Sequence, residues 1–287
     1  MPSSHVGPLA LGTPIRDALD GAVTAIAAAG CETPRLDAEL LLAHALGVSR
    51  ERLFIDAGLT VAGPAVRTFQ DFVRRRSVQR EPVAYILGRR HFRHLELAVD
   101  RRGLIPRPET ELLVELSLTL PLESRVLDVG TGSGAVALAL KDERPDLHVT
   151  ATDVSGEAVA LARGNGQRLG LDVRWLRADL LDGLPGDFDA ILSNPPYILD
   201  GERAALPPEI LRHEPLSALF AGADGLNVIR PLILQSSART SVRLLALEVG
   251  DGQAPAVGKL MRAAGFSAVR AERDLAGIER VVVGLRP

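Results

Sequence analysis

From Arg125 onward, short apolar runs alternate with helical stretches, and no other feature of the chain narrows its possible folds as far. Val126-Leu127-Asp128-Val129 reads as a buried strand. Gly130-Thr131-Gly132-Ser133-Gly134 reads as a turn needing glycine's conformational freedom, and Ala135 to about Lys141 as the helix that follows. Val149-Thr150-Ala151-Thr152-Asp153, Val173-Arg174-Trp175-Leu176-Arg177, Phe188-Asp189-Ala190-Ile191-Leu192 and Leu244–Val249 repeat the strand pattern, with helices at 155–169 and 254–264. Ala268–Glu272 and Ile278–Leu285 follow the last helix directly, which fits an antiparallel pair at a sheet edge. The expected fold is an open α/β sheet, mostly parallel. Gly130–Gly134, Asp153, Asp179 and Asn194 then all fall at C-terminal ends of successive strands, the edge where such sheets bind ligands.

Ser193-Asn194-Pro195-Pro196-Tyr197 closes the fourth of these strands. Two prolines cannot continue a sheet, and a proline holds the residue before it extended, so Asn194 is kept at the strand's end. The Asn194 side-chain oxygen and the Pro195 carbonyl can both accept hydrogen bonds from one NH2 group while Tyr197 packs against its plane. That suits an uncharged nitrogen on a planar group, turned toward an electrophile. The same residues also read as a Pro-Pro loop with a half-buried tyrosine.

Backbone amides of the glycine turn and the helix N-terminus can cradle an anionic or polar ligand. Asp153 lies 23 residues past Gly130, where a carboxylate can take both hydroxyls of a ribose. Gly130, Gly132 and Ala135 also satisfy the loosened dinucleotide pattern, so a nicotinamide cofactor stays open on the turn alone. Three features favour S-adenosylmethionine. Asp128, two residues before the first glycine, suits an amino-acid moiety with its ammonium, reached through water or backbone, although it also reads as a carboxylate capping the loop. Asp179 with the Leu180 amide offers an acceptor–donor pair to an adenine edge, and the Asn194 site offers acceptors for an amine with nothing for hydride transfer.

The chain begins differently. Residues 13–30 read as a helix with Thr13 as N-cap, Pro14 at its first position and Gly30 ending it. Thr33-Pro34 opens a second helix closing near Gly47, Ser49 to Phe54 a short third, and Pro64 to Arg80 a fourth, with Val66, Phe69, Phe72 and Val73 inward and Arg74, Arg75, Arg76 and Arg80 outward. His44 reads as a packing or surface histidine. Residues 1–85 thus form a small helical bundle, 86–106 a linking β-hairpin, and 107–287 the α/β domain. Pro108 suits the first turn of a helix from Glu109 to about Leu120, and Arg107, Glu109 and Glu111 form either a surface ion-pair cluster or part of a site. Residues 198–224 read as a long lid or binding loop, with Asp224-Gly225-Leu226 opening a helix to about Ala238.

No apolar run approaches the 18 residues of a membrane span, and Met1–His5 lack the pattern of a signal peptide. Cys31 is the single cysteine, which excludes an internal disulfide and a thiolate metal site and fits a reducing cytoplasm; no metal is expected. Charge is uneven. Residues 1–85 balance nine basic against nine acidic groups, 86–107 set six arginines against Glu96 and Asp100, and 108–287 hold 18 basic and 25 acidic groups. The arginine belt can meet an acidic partner or RNA, or stand as solvated surface.

Asp128–Gly134 with Asn194-Pro195-Pro196-Tyr197 resembles the class I S-adenosylmethionine-dependent methyltransferases that act on planar amide or amino nitrogens. Longer stretches resemble one family within them, the HemK/PrmC peptide-chain release factor N(5)-glutamine methyltransferases. These stretches are Arg35–Leu41, Glu81–Gly88, His91-Phe92, Leu104-Ile105-Pro106-Arg107-Pro108-Glu109-Thr110-Glu111-Leu112-Leu113-Val114 and His213-Glu214-Pro215. The resemblance implies a Rossmann-like, seven-stranded, mostly parallel sheet and methyl transfer to the glutamine of the Gly-Gly-Gln motif in class 1 release factors, with S-adenosylhomocysteine as product. It implies Gly130, Thr131, Gly132, Ser133, Gly134, Asp153, Asp179 and Leu180 at the cofactor, and Asn194, Pro195, Pro196 and Tyr197 at the glutamine, Asn194 facing both. Leu95, where the family usually has glycine, and Arg102-Gly103, in place of a bulkier apolar lead-in, depart from the pattern. A cytoplasmic monomer is expected, with no nucleic-acid substrate. The rivals are a ribosomal-protein glutamine methyltransferase, an rRNA or DNA amino-methyltransferase, and a cofactor-binding regulator without catalysis.

Overall fold

The structure is a computed structural model that describes residues 12–56 and 60–287, so Met1–His5 lie outside the described residues. The chain forms two compact units, one running to Gly88 and including Pro207–His213, the other Arg89–Leu206 with Glu214–Pro287. The hairpin expected as a linker therefore belongs to the second unit.

The first unit holds β1 (Thr13–Pro14), α1 (Ile15–Ala28), α2 (Pro34–Leu46), α3 (Arg52–Ile55), β2 (Thr60–Val61), α4 (Pro64–Ser77) and α5 (Val83–Leu87). Ile26, Leu41, Leu42 and Phe69 are fully buried at its centre, and the His44 ring packs on Phe72 at 5.7 Å. Thr13 does not cap α1: Thr13 and Pro14 pair with Val61 and Thr60 as a two-residue ladder, and the helix starts one residue later than the Pro14 position suggested. A second correction concerns Arg76. It lies three residues past Val73 and seven past Phe69, on the same helix face, and is buried rather than outward. Its charge is matched by Asp37 Oδ2, at 2.6 Å from Nε, and by Glu209 of the helix Pro208–His213, which also accepts from Arg80 at 2.6 Å.

The second unit runs through β3 (Arg89–Phe92), β4 (Leu95–Ala98), a 3₁₀ turn at Pro108–Thr110, α6 (Glu111–Ser117), β5 (Arg125–Val129), α7 (Ala135–Glu143), β6 (His148–Asp153), α8 (Gly156–Leu169), β7 (Arg174–Arg177) and β8 (Ala190–Ser193). After α9 (Pro208–His213), which belongs to the first unit, the second unit continues with α10 (Ile229–Ala238), β9 (Leu244–Glu248), α11 (Ala254–Ala263), β10 (Ala268–Arg273) and β11 (Glu279–Leu285). The seven-stranded sheet has the order β10-β11-β9-β8-β5-β6-β7, with β11 antiparallel to both neighbours and all other pairs parallel. β8 and β9 are buried along their whole length, as central strands covered on both faces must be, while edge strand β10 carries exposed Arg270 and Arg273.

Strand order reverses at the centre of this sheet: β5, β6 and β7 step one way, β8 and β9 the other. That topological switch opens a crevice beyond the C-terminal ends of β5 and β8. Residues 198–224 are not an open loop. They form 3₁₀ turns at Asp200–Ala205 and Leu216–Ala218, helix α9, and a bridge between Ile198 and Phe220. The next helix starts at Ile229, later than expected, because Asp224 Oδ1 accepts from the Leu226 amide and holds a turn there.

Candidate active site

Sheet register builds the site. Val129 pairs with both Thr152 and Ser193, and Ser193 pairs with Leu247. One step further along the parallel strands, Asp153, Gly130, Asn194 and Glu248 therefore form a row across the C-terminal edge. A cavity of about 360 Å³ opens over this row. Its wall includes Asp128, Gly130–Ser133, Asp153, Asp179, Leu180 and Asn194–Pro196, so most of the residues named from sequence converge on one space.

The glycine turn is held from inside. Gly130 and Thr131 amides both donate to the Thr152 carbonyl, at 2.8 and 2.9 Å, the Gly132 amide donates to Asp153 Oδ2 at 3.0 Å, and the Gly134 amide to the Thr131 carbonyl at 2.8 Å. These four donors are engaged within the fold and hold the shape of the turn. Gly130, Gly132 and Gly134 all have positive φ, which side chains with a Cβ adopt at a cost. Gly134 does not line the cavity. A Cβ there would meet Leu138 Cδ1 at 3.0 Å and Ala162 and Trp175 at 3.1 Å, so its bareness lets α7, α8 and β7 close together. Gly103, a departure from the family pattern, is buried, and a Cβ on it would lie 3.1 Å from Gly132 C and Ser133 N. Its missing side chain lets the lead-in segment sit against the turn.

Carboxylates here sit in an unusual environment. Burial pushes Asp128 up to about 7, against the Thr131 hydroxyl that donates to its Oδ2 at 2.6 Å. Burial also raises Asp153, whose two oxygens accept from the Gly132 and Ser155 amides. The Ser133 hydroxyl is buried without a hydrogen-bond partner at this same wall. An amino-acid ammonium, a ribose diol and an adenine edge match Asp128, Asp153 and the Asp179–Leu180 pair respectively, so these residues fit S-adenosylmethionine. Their chemistry suits it better than a dinucleotide, whose pyrophosphate would face the Asp128 carboxylate.

Tyr197 differs from its expected place. It is not part of the lining: its ring packs on the apolar cluster that includes Leu226, Leu247 and Val249, and its hydroxyl donates to Glu248 Oε1 at 3.3 Å. Gln253 Nε2 holds its carbonyl at 2.9 Å. Burial, with the Glu248 charge beside it, raises the phenol far above its ordinary range.

Sequence reasoning missed three side chains. Thr110, in the 3₁₀ turn, lines the cavity, accepts from Asn194 Nδ2 at 3.0 Å and donates to Glu248 Oε2 at 2.7 Å. Glu248 is 1% exposed and is pushed up to about 7 by burial. A single carboxylate ending the otherwise apolar Leu244–Val249 run was the available signal. Glu214 accepts from Arg107 at 2.5 Å and from the Ile105 amide at 3.2 Å, pinning the segment that carries Pro106 and Arg107 into the cavity wall. Arg107, Glu109 and Glu111 do not pair with one another: Glu111 instead accepts from the Arg93 amide. Four arginines of the belt, Arg89, Arg93, Arg102 and Arg107, are engaged by carboxylates of this unit.

Residues 108–214 match the family described as methyltransferase small domain, and residues 17–88 match the PrmC N-terminal domain. The release factor glutamine methyltransferase of Deinococcus radiodurans is 42% identical over 272 residues, covering 93% of this chain and 97% of that one. The chain belongs to the release factor glutamine methyltransferase family. Another member, from Coxiella burnetii, is 42% identical over 261 residues, covering 89% of this chain and 93% of its own. The fold extends beyond this family. A methyltransferase from Pyrococcus furiosus superposes with a TM-score of 0.52 at 21% identity, covering 67% of this chain and 88% of that one. A T. thermophilus 16S rRNA N2 G1207 methyltransferase does so at 0.50 and 19%, covering 69% and 50%.

Proposed function

We propose that this protein transfers the methyl group of S-adenosylmethionine to the side-chain amide nitrogen of the glutamine in the Gly-Gly-Gln motif of class 1 release factors. The observation that carries the reading is the row at the sheet's C-terminal edge, which puts Asp153 and the glycine turn beside Asn194 over one cavity. Membership of the release factor glutamine methyltransferase family supports the substrate, which the name of the Deinococcus relative states.

When bound, S-adenosylmethionine supplies an electrophilic methyl on a sulfonium. Asp153 and the Asp179–Leu180 pair would hold its nucleoside end, and Asp128 its amino-acid end. Asn194 Oδ1 and the Pro195 carbonyl accept the two N–H groups of the substrate amide, which turns its nitrogen lone pair out of conjugation. Positive charge grows on that nitrogen during transfer, and the two fixed acceptors stabilise it without reorganising. Holding the amide in place lowers the barrier further by removing the cost of orientation. No group needs to remove a proton before attack, and the proton leaves afterwards to water. Tyr197 contributes from behind its own carbonyl, through Gln253 and Glu248, by keeping the Pro195–Pro196 backbone still. Residues 1–85 recognise the release factor, and the reaction takes place in the cytoplasm on a monomeric enzyme.

The test is transfer of labelled methyl from S-adenosylmethionine to a purified class 1 release factor, beside its Gln→Ala loop variant and bare ribosomes. Label on the wild-type factor alone supports this function. Label on ribosomes, with the factor untouched, replaces it with a ribosomal target.

A further inference from the structure

Asn194 has two chemically opposite ends, and only the oxygen can accept an N–H. Which end faces the substrate depends on what holds the other. Asn194 Nδ2 donates to Thr110 Oγ1 at 3.0 Å, and Thr110 Oγ1 donates to Glu248 Oε2 at 2.7 Å. An ionised carboxylate has no proton to give, so the Thr110 hydroxyl must point its hydrogen at Glu248. The hydroxyl is then left with lone pairs only, and Asn194 must offer its NH2. Oδ1 is the end that remains for the cavity.

We propose that Glu248 is a positioning residue that sets the polarity of the Glu248–Thr110–Asn194 chain and so fixes Asn194 with its oxygen free for the substrate N–H. The inference rests on the transfer reaction proposed above and adds to it the residue that orients the acceptor. Three observations support it. Glu248 is 1% exposed and Thr110 4%, so water does not compete for either link. Sheet register sets Glu248 beside Asn194, one step past the Ser193–Leu247 pair. Its second oxygen is engaged by the Tyr197 hydroxyl at 3.3 Å, which leaves the carboxylate little freedom to turn. Glu109 and Arg280 are the other charged groups acting on Glu248, and Arg107 and Arg280 act on Tyr197. Burial raises the Glu248 carboxyl to about 7, so the ionised form that sets the polarity dominates above that pH.

The chain has three asparagines, Asn165, Asn194 and Asn227, so a protein labelled with ¹⁵N only at asparagine side chains shows three NH2 pairs. Full-length wild type, Thr110→Val, Thr110→Ser and Glu248→Leu would be compared at pH 8.5, the Asn194 pair being assigned with Asn194→Ser. Three readouts are taken: the Asn194 amide pair, S-adenosylhomocysteine affinity by calorimetry, and kcat and KM for a release factor. Leucine at 248 has no acceptor for the Thr110 hydroxyl, whereas glutamine would keep one. Thr110→Val and Glu248→Leu are expected to move the Asn194 pair and lower kcat about 10- to 100-fold, with KM and product affinity changed less than about threefold. Thr110→Ser restores both the pair and kcat, which a merely structural threonine would not require. Should Thr110→Val fold poorly, Glu248→Leu and Thr110→Ser carry the comparison. An unmoved Asn194 pair in both Thr110→Val and Glu248→Leu, or wild-type kcat in Glu248→Leu, overturns the inference. If wild type does not methylate the release factor, the transfer reading fails, and the asparagine spectra still decide the orientation of Asn194.

Discussion

Asn165 holds the glycine turn to its surroundings, and removing it has a calculable cost. It is 1% exposed on α8, its Oδ1 accepts from the Ala98 amide at 2.8 Å, and its Nδ2 donates to the Ala98 and Ser133 carbonyls, both at 2.9 Å. Ala98 is the residue of β4 opposite Arg89, so the Asn165 amide acts as a one-residue strand on the hairpin's other side, while its third bond ties down the turn at Ser133. Asn165→Ala deletes these three backbone links, along with a bond from Arg168 to Oδ1, and leaves buried backbone groups without partners. At about 1 kcal/mol per bond, and more for each group left unpaired, the loss is about 3 kcal/mol. In a unit of this size that lowers Tm by roughly 6–12 °C. Trp175, the only tryptophan, approaches Gly166 next to Asn165, so urea unfolding followed by its fluorescence reads this unit directly. Asn165→Asp retains the acceptor and loses both donors, and falls between wild type and alanine or below. S-adenosylhomocysteine affinity drops in parallel, because Ser133 lines the cavity. A loss under about 0.5 kcal/mol with unchanged affinity would refute the reasoning, since water would then have replaced all three bonds.

Asn194→Ala is expected to lower turnover about 100-fold, with S-adenosylhomocysteine affinity within about threefold of wild type; near-normal turnover measured by methyl transfer would remove Asn194 from the chemistry. Asp153→Ala weakens S-adenosylhomocysteine about 10- to 100-fold in calorimetry, the worth of a charge-assisted pair of hydrogen bonds, whereas unchanged affinity would reduce Asp153 to a cap on the Gly132 and Ser155 amides. The Glu248 carboxyl, raised to about 7 from an ordinary 4.5, binds its proton more tightly folded than unfolded, so its contribution to stability falls as pH rises from about 4.5 to 7. Wild type should therefore lose on the order of 3 kcal/mol relative to Glu248→Gln across that window in urea titrations, and a pH-independent difference would contradict the burial cost.

The order of elements was legible because each rests on local chemistry. Val126–Val129 and Leu244–Glu248 are apolar enough to be strands only in a covered sheet, and Gly130, Gly132 and Gly134 announce a turn whose φ values no other residue adopts freely. Asn194 could be placed at a strand end because prolines forbid anything else there. Position on those ends was enough to gather the cavity residues, since a parallel sheet brings all its C-terminal ends to one edge.

Tertiary structure decided what periodicity cannot carry. Arg76 looked like one more exposed arginine until Asp37 and Glu209, 39 and 133 residues away, made its burial tolerable. Tyr197 seemed aimed at the substrate, yet the cluster with Leu247 and Val249, and Glu248 beyond it, drew the ring away from the cavity. Thr110 and Glu248 stand 138 residues apart and mean nothing as a pair until the sheet register sets one beside Asn194 and the 3₁₀ turn brings the other across. Sequence determined which groups could do chemistry, because that follows from residue type and backbone preference. Only the fold decided which way each group points, because orientation depends on partners that sequence distance conceals.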